Sequence, residues 1–433
     1  MPRLLQIVHG YPPRELAGTE IYAERITQAL ADSDWEVHIL AATRAPGFPH
    51  GQWLPPEDSG AGGEIHRIVN NLPWRPLAAK EHDAILSKRC NAKIAQIAPD
   101  LVHVQHLLFL DIGLKYNAPA LFTLHDAWAW CARAGSLLEM GRAPCPGPSA
   151  DRCGPCYADF SKGQALEHQL GKLAGKLDAV VPIEWMHKAW RALPARVRSL
   201  SKRGQAPCAT GDEVKQRQNA LLLALNNFDT RLSPSKFLAE EGMRQGLEEI
   251  QVLPHGVNAT STQRQPKHFL FLGSLAFHKG PQVVAEAWQK AQAKDSSLPA
   301  LRIVGPAVDP ECVAALPRHQ VFPPVPPEQV AANLSEAHAL ILGSIWPENA
   351  PLVILEALAA GCPVIAPSIG GIPELVQQDE NGWLYPAGDT TALAEHLLNW
   401  RDLHALKVQN PLRFDEHMNG LFRHYSRLLK DTK

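Results

Sequence analysis

Twice along this chain a short apolar run is followed by a turn-rich loop, a stretch with helical spacing and a second apolar run. The first instance is LLQIVH, HGYPPRELAGT, EIYAERITQALADS and EVHILAA, with Ile21, Ile26 and Leu30 on one helical face. The second is HFLFLG (268–273), SLAFHKG, PQVVAEAWQKAQA and ALRIVG, continued by AHALILGS, PLVILEALAAG, PVIAPS and GGIPELV. Strands that are apolar on both faces need cover on both faces. Alternation with helices therefore predicts α/β architecture with parallel sheets. Two such runs, separated near 250–265 by the polar segment TSTQRQPK (260–267), predict two sheets joined by a linker. A length of 433 residues accommodates two domains of roughly 200 residues each.

Charge and hydropathy narrow the class. A net charge of −2 is not that of a general nucleic-acid binder, which carries a large basic excess. The opening MPRLLQIVHGYPP is too short for a secretory core, and no run approaches the roughly 18 apolar residues of a spanning helix. The expectation is a cytoplasmic protein whose eight cysteines are reduced unless a metal holds them.

The stretch PENAPLVILEALAAG (347–361) places Glu348 just before an apolar segment and Glu356 inside it. With PLVILEALAAG as a helix and Pro351 in its first turn, the free N–H groups of the helix start lie between the two acids. A ligand ordered as hydroxyls, diphosphate and hydroxyls satisfies all three features, and a nucleotide sugar has that order. Glu348 would accept from the hexose and Glu356 from the ribose diol. A surface helix with two solvated glutamates fits the same spacing.

The longer segment SIWPENAPLVILEALAAGCPVIAPSIGGIPELV resembles the signature region of the retaining glycosyltransferases of family 4, including their Glu-x7-Glu motif. FLGSLAFHKG resembles the family's phosphate-binding loop, SPSKFLAEEGMRQGLEEIQVLPHGVN the segment closing the first domain, and HGYPPRELAGTEIY the N-terminal loop. DLVHVQHL and TLHDAW resemble the sheet ends that face the cleft. The resemblance covers most of the chain outside about 160–220.

It implies the GT-B architecture, two facing Rossmann-like domains with a deep cleft between them. Residues 1–255 would form an acceptor-binding domain and 256–410 a nucleotide-sugar-binding domain. Residues 411–433 hold an amphipathic helix that in the family returns to the first domain. It also implies donor contacts at Gly18, Thr19, Ser274, Lys279, Glu348, Asn349, Ala350, Leu352, Val353 and Glu356, with His125, Lys279 and Glu348 closest to the chemistry.

Lys279 would neutralise the diphosphate, although a lysine before glycine is also an ordinary solvated turn. The family usually has arginine where this chain has Ser274, leaving a second cation to His278 or a residue elsewhere. His125 follows an apolar strand and would meet the donor hexose through its neutral ring or its carbonyl, or be a satisfied histidine near the core. Asp126 would orient the site or cap the next segment. Gly18 would let backbone approach the donor, and Thr19 could be the N-cap of the following helix. Gly370 and Gly371 would form a second close-approach loop or a plain turn. The resemblance implies front-face transfer with the leaving phosphate taking the proton. No catalytic metal is expected.

Cys131, Cys145, Cys153 and Cys156 form C-x13-C-x7-C-x2-C in an insert spanning 131–156. Four thiolates suit a structural zinc with no open position, or they are reduced cysteines of a loop. The stretch 185–203 carries six basic residues, two tryptophans and no acids. It suits peripheral contact with an anionic membrane, or a solvated helical insert. The functional expectation is hexose transfer from a nucleotide-diphosphate sugar to a glycan or lipid-linked acceptor in surface polysaccharide biosynthesis. Nucleotide-sugar epimerisation and non-catalytic binding of a sugar nucleotide are the alternatives.

Overall fold

The computed structural model describes residues 1–45, 47–71, 82–161, 210–258 and 263–431. The basic stretch 185–203 and part of the polar 260–267 segment lie outside the described residues.

The first sheet is built from β1 (Arg3–Val8), β2 (Glu36–Thr43), β3 (Glu57–Asp58), β4 (Gly63–Val69), β5 (Leu101–Val104) and β6 (Ala120–Thr123). A small hairpin, β7 (Leu138–Glu139) with β8 (Ala143–Pro144), follows before β9 (Thr230–Ser233) and β10 (Gln251–Val252) complete the sheet. Its order is β10-β9-β6-β5-β1-β2-β4-β3, parallel throughout except for the antiparallel edge strand β3. The second sheet contains β11 (His268–Leu272), β12 (Ala300–Val304), β13 (Val321–Phe322), β14 (Ala337–Ile341), β15 (Val364–Pro367) and β16 (Gly382–Tyr385). Its order is β13-β12-β11-β14-β15-β16, all parallel.

Both sheets are doubly wound. β1 lies between β2 and β5, and β11 lies between β12 and β14. Strand order reverses at these central strands, and in such sheets the crevice for a ligand opens at the carboxyl ends there. The loops after β1, β11 and β14 are therefore the ones the topology offers to a site.

Helices form where apolar residues recur every three or four positions. The Gly18–Ala31 helix buries Tyr22, Ala23, Ile26 and Leu30 against the first sheet. The last helix, Phe414–Asp431, buries Met418, Leu421, Tyr425 and Leu428 in that same cluster, beside Leu4, Val8, Tyr22 and Ile26. Three polar contacts, made by two of its residues, fix its seat. Tyr425 Oη lies 2.7 Å from His103 Nδ1, fully buried. His417 Nδ1 lies 2.7 Å from the carbonyl oxygen of Pro254 and its Nε2 lies 2.9 Å from Tyr22 Oη. A carbonyl can only accept, so the proton is on Nδ1 and the tyrosine donates to Nε2.

The cysteine-rich insert packs differently from a free loop. Leu138, on its hairpin, is buried in a core cluster of the second domain, so the insert reaches across the domain boundary. Leu221, Leu222 and Leu225 of the Gly211–Asn226 helix enter the first core, whereas Leu223 is exposed.

The C-terminal helix should contribute to the stability of the first domain. Leu421→Ala removes a fully buried side chain and should cost about 2–5 kcal/mol, read as a lower urea midpoint. An unchanged midpoint would mean that this helix is not held by its buried face.

Candidate functional site

The two sheets face each other across a cleft of about 450 Å3. Its walls include Gly18 and Thr19 from the start of one helix, His125 and Asp126 from the end of β6, and Ser274 and Lys279 from the loop after β11. Glu348, Asn349, Ala350, Leu352, Val353 and Glu356 complete it from the loop after β14 and the Leu352–Ala359 helix. Every donor residue expected from the sequence thus lines one space. The four cysteines line a separate one.

Backbone proximity places Lys279. Gly280 has φ +69 and caps the Pro281–Gln292 helix, with Pro281 at its first position. A Cβ on Gly280 would collide with the carbonyl of Gly343, and one on Gly343 with the carbonyl of Gly280. Two glycines therefore let the loop after β11 touch the end of β14, and Ile345 N–H donates to the carbonyl of His278 at 3.0 Å. As a result Lys279 Nζ reaches both carboxylate oxygens of Glu348, at 2.8 and 3.0 Å. Ser344 Oγ donates to Oε1 at 2.8 Å. The same ammonium lies 4.7 Å from the centre of the Trp346 ring.

Glu348 is only 5% exposed. Burial works against its charge, but the Lys279 ammonium and the hydrogen bonds from Lys279 and Ser344 outweigh that and hold the carboxyl below its usual range. Gly370 and Gly371 form a turn whose backbone comes close to that of Glu348 and Asn349. Gly371 N–H donates to the Glu348 carbonyl at 2.7 Å, and a Cβ on Gly370 would strike the Glu348 backbone.

Glu356 accepts from Arg25 Nη2 at 2.8 Å, a contact between domains. Nothing in the sequence pairs these residues, which lie 331 positions apart. Asn349 is a second such bridge. Its Nδ2 donates to the carbonyl of His125 at 3.0 Å, and its Oδ1 accepts from Ser235 Oγ at 2.5 Å. The Glu374 carboxylate accepts from the backbone N–H groups of Lys236 and Phe237 at 2.8 and 2.7 Å. It thereby caps the Lys236–Arg244 helix from the opposite domain.

The His125 ring donates from Nε2 to Gln105 Oε1 at 2.8 Å. Burial, and after it the neighbouring His106, His103 and His9, push its pKa well below the usual range, so the ring is neutral at pH 7. His255, stacked on it at 6.0 Å, is lowered in the same way, by burial first. Asp126 both orients and caps. Its Oδ2 lies 3.3 Å from His106 Nε2, and its Oδ1 accepts from Trp128 N–H at 2.8 Å.

Three expectations are corrected. Thr19 is not an N-cap, because the helix already begins at Gly18 and Ala17 holds the cap position without a side-chain bond. Pro351 is the N-cap of the Leu352–Ala359 helix rather than a member of its first turn. His278 does not replace the cation missing at Ser274. Burial, then the charge of Lys279, lowers its pKa to about 4, and its ring is turned edge-on to Trp346 at 5.1 Å.

Cys131, Cys145, Cys153 and Cys156 line one small cavity of about 30 Å3, apart from the cleft. Ser149 N–H points at Cys153 Sγ (3.2 Å) and Met140 N–H at Cys156 Sγ (3.3 Å), the kind of donor that steadies a thiolate. Among the described residues, the set of three or more ligating side chains whose donor atoms all lie within 4.8 Å of one another is a different one, His38, Glu64 and His66.

Two family models match the chain. Residues 16–145 match Glycosyltransferase Family 4, and residues 266–402 match Glycosyl transferases group 1. Among curated proteins, the putative colanic acid biosynthesis glycosyltransferase WcaL of Escherichia coli is 29% identical over 179 residues, which is 37% of this chain and 41% of that protein. The amylovoran biosynthesis glycosyltransferase AmsK of Erwinia amylovora is 40% identical over 78 residues, 17% of this chain and 19% of that protein. An uncharacterised glycosyltransferase of Methanocaldococcus jannaschii is 22% identical over 89% of this chain and 85% of its own length. The chain thus spans less than half of the first two relatives. Among solved structures, sucrose-phosphate synthase from Thermosynechococcus elongatus superposes with a TM-score of 0.61 at 17% identity, covering all of both chains. Anabaena HepE in complex with UDP and glucose gives 0.61 at 14% identity, covering 98% of this chain and 99% of that one. The shared fold is GT-B, two Rossmann-like domains with parallel sheets.

The Glu348 charge should be visible in stability against pH. Its folded pKa lies below the usual 4.5, so its contribution is present above that value and is lost as pH falls through the folded pKa. Glu348→Gln should therefore be less stable than the parent at pH 7, with the gap between urea midpoints closing toward pH 3. A gap that does not change with pH would show that the charge is not what stabilises the pair.

Proposed function

Since the chain belongs to the family 4-like glycosyltransferases, we propose that it moves a hexose from a nucleotide-diphosphate sugar to a glycan or lipid-linked acceptor, with retention, in surface polysaccharide assembly. The observation that carries this reading is the convergence of Lys279, the start of the Leu352–Ala359 helix and Glu356 on one cleft. A diphosphate seated there meets an ammonium and free backbone N–H groups together.

In this reading Glu348 has a double task. It holds the Lys279 ammonium in place through two oxygens, and its cleft-facing edge accepts from the hexose hydroxyls. Glu356, oriented by Arg25, accepts from the ribose diol. The neutral ring of His125 lies beside the hexose, while its carbonyl is engaged by Asn349 and ties the domains together. The C1–O bond to the diphosphate breaks, the acceptor oxygen bonds to C1 on the same face, and the acceptor proton passes to the departing phosphate oxygen. Lys279 and the helix N–H groups stabilise the charge that develops on that phosphate.

The relatives named for colanic acid and amylovoran biosynthesis support a surface polysaccharide as the acceptor class. HepE was solved with UDP and glucose, which makes uridine sugars the first donors to test. Among the described residues no helix is long and apolar enough to cross a membrane. Contact with an anionic membrane face through 185–203 belongs to the same proposal on the strength of its charge. So does structural zinc in the four-cysteine insert, supported by four thiols around one cavity and by N–H groups directed at two of them.

Donor binding should raise the melting temperature with one nucleotide family and its sugars. Lys279→Ala and Glu356→Ala should each weaken that binding by about 1.5–3 kcal/mol, roughly 10- to 150-fold. Product formed with the correct acceptor should keep the donor's anomeric configuration by NMR. An inverted product would rule out the front-face step, and undiminished binding in both variants would rule out this donor site.

A further inference from the structure

Two Glu-x-His pairs, Glu36-Val37-His38 and Glu64-Ile65-His66, lie on the adjacent parallel strands β2 and β4. The alternation of a strand puts both members of each pair on one face. The register then sets His38 beside Glu64, with His66 one step further along. These positions are near the amino ends of their strands, the edge of the sheet opposite the cleft.

His38 Nδ1 and His66 Nε2 are 3.0 Å apart, and Glu64 Oε2 is 3.5 Å from the first and 4.0 Å from the second. A tetrahedral ion with bonds of 2.0–2.2 Å separates its ligands by about 3.3–3.6 Å. The three donors therefore already form a triangle of nearly the right size. Glu36 supplies the outer support, because its Oε1 lies 3.0 Å from His38 Nε2. A carboxylate there keeps the proton on Nε2 and leaves the Nδ1 lone pair free to ligate. Both rings are sheltered, with side chains 12% and 6% exposed, while Glu64 at 47% leaves an open approach.

We propose that His38, His66 and Glu64 form a binding site for a divalent cation of the zinc class, with water in the fourth position. Two imidazoles and one carboxylate suit Zn2+ and its neighbours Co2+ and Ni2+. The ion replaces the proton that His66 Nε2 shares with His38, and that proton moves to Nδ1 of the same ring. Bound there, the ion ties β2 to β4 near the outer edge of the first sheet, away from the glycosyl-transfer site. Arg3, 3.0 Å from Glu36, and Lys93, which bears on His66, are the cations that face the cluster.

Co2+ titration of the whole chain, followed by absorption and calorimetry, tests this. One equivalent should bind without thiolate charge-transfer bands, which separates it from metal held by the four cysteines. His66→Ala and His38→Ala should weaken this equivalent at least tenfold, Glu36→Gln should weaken it less, and Lys93→Gln should tighten it. Glu64→Gln changes an exposed side chain and keeps the test available if a histidine variant fails to fold. Retained affinity in His66→Ala or Glu64→Gln, or bound metal accounted for entirely by thiolate bands, would overturn the proposal.

Discussion

A carboxylate buried where two domains meet must be paired, and the pairing of Glu348 organises everything around it. Its side chain takes Lys279 from the loop after β11 and Ser344 from the end of β14. Its backbone takes Gly371 from the turn after β15. Three strand ends of the second sheet are thereby held together at one residue. The close contact of Gly280 with Gly343 makes this possible, because any side chain at either position would push the two loops apart.

From that knot the cleft is built outward by contacts that join the domains. Asn349, the next residue, bonds to His125 and Ser235 of the first domain. Glu374 caps a first-domain helix, and Arg25 holds Glu356 from the other side. These contacts are polar, unlike the packed cores on either side. A boundary of that kind permits domain movement around a ligand more readily than a large apolar interface does. The insert hairpin, through Leu138, adds an apolar tie across the same boundary, and the last helix packs Leu421 and Tyr425 into the core of the first domain.

Electrostatics divides labour within the cleft. Burial keeps the rings of His125, His255 and His278 neutral, so they offer shape and hydrogen bonds rather than charge. Among the residues lining the cleft, Lys279 is the cationic side chain, and it is already partnered by a carboxylate. A diphosphate arriving there, as proposed, would depend on helix N–H groups as well as on that ammonium.

Much of the architecture was legible in the chain itself. Apolar runs such as HFLFL and AHALI have no polar face to show water, so they had to become buried parallel strands. The 414–429 apolar face had to be covered by something, but its period does not say by what. Local chemistry also misled in small ways, as at Thr19 and Pro351, because a helix boundary depends on one or two hydrogen bonds that tertiary packing can shift. The sequence by itself determined the strands and helices whose apolar period is strong, and which glycines and acids crowd the strand ends, because periodicity and backbone freedom are local properties. Only the tertiary structure decided that Lys279 meets Glu348, that Arg25 meets Glu356 and that His38 meets His66. Those pairs are 69, 331 and 28 residues apart, and their attraction acts only after sheet order and register have brought them within reach.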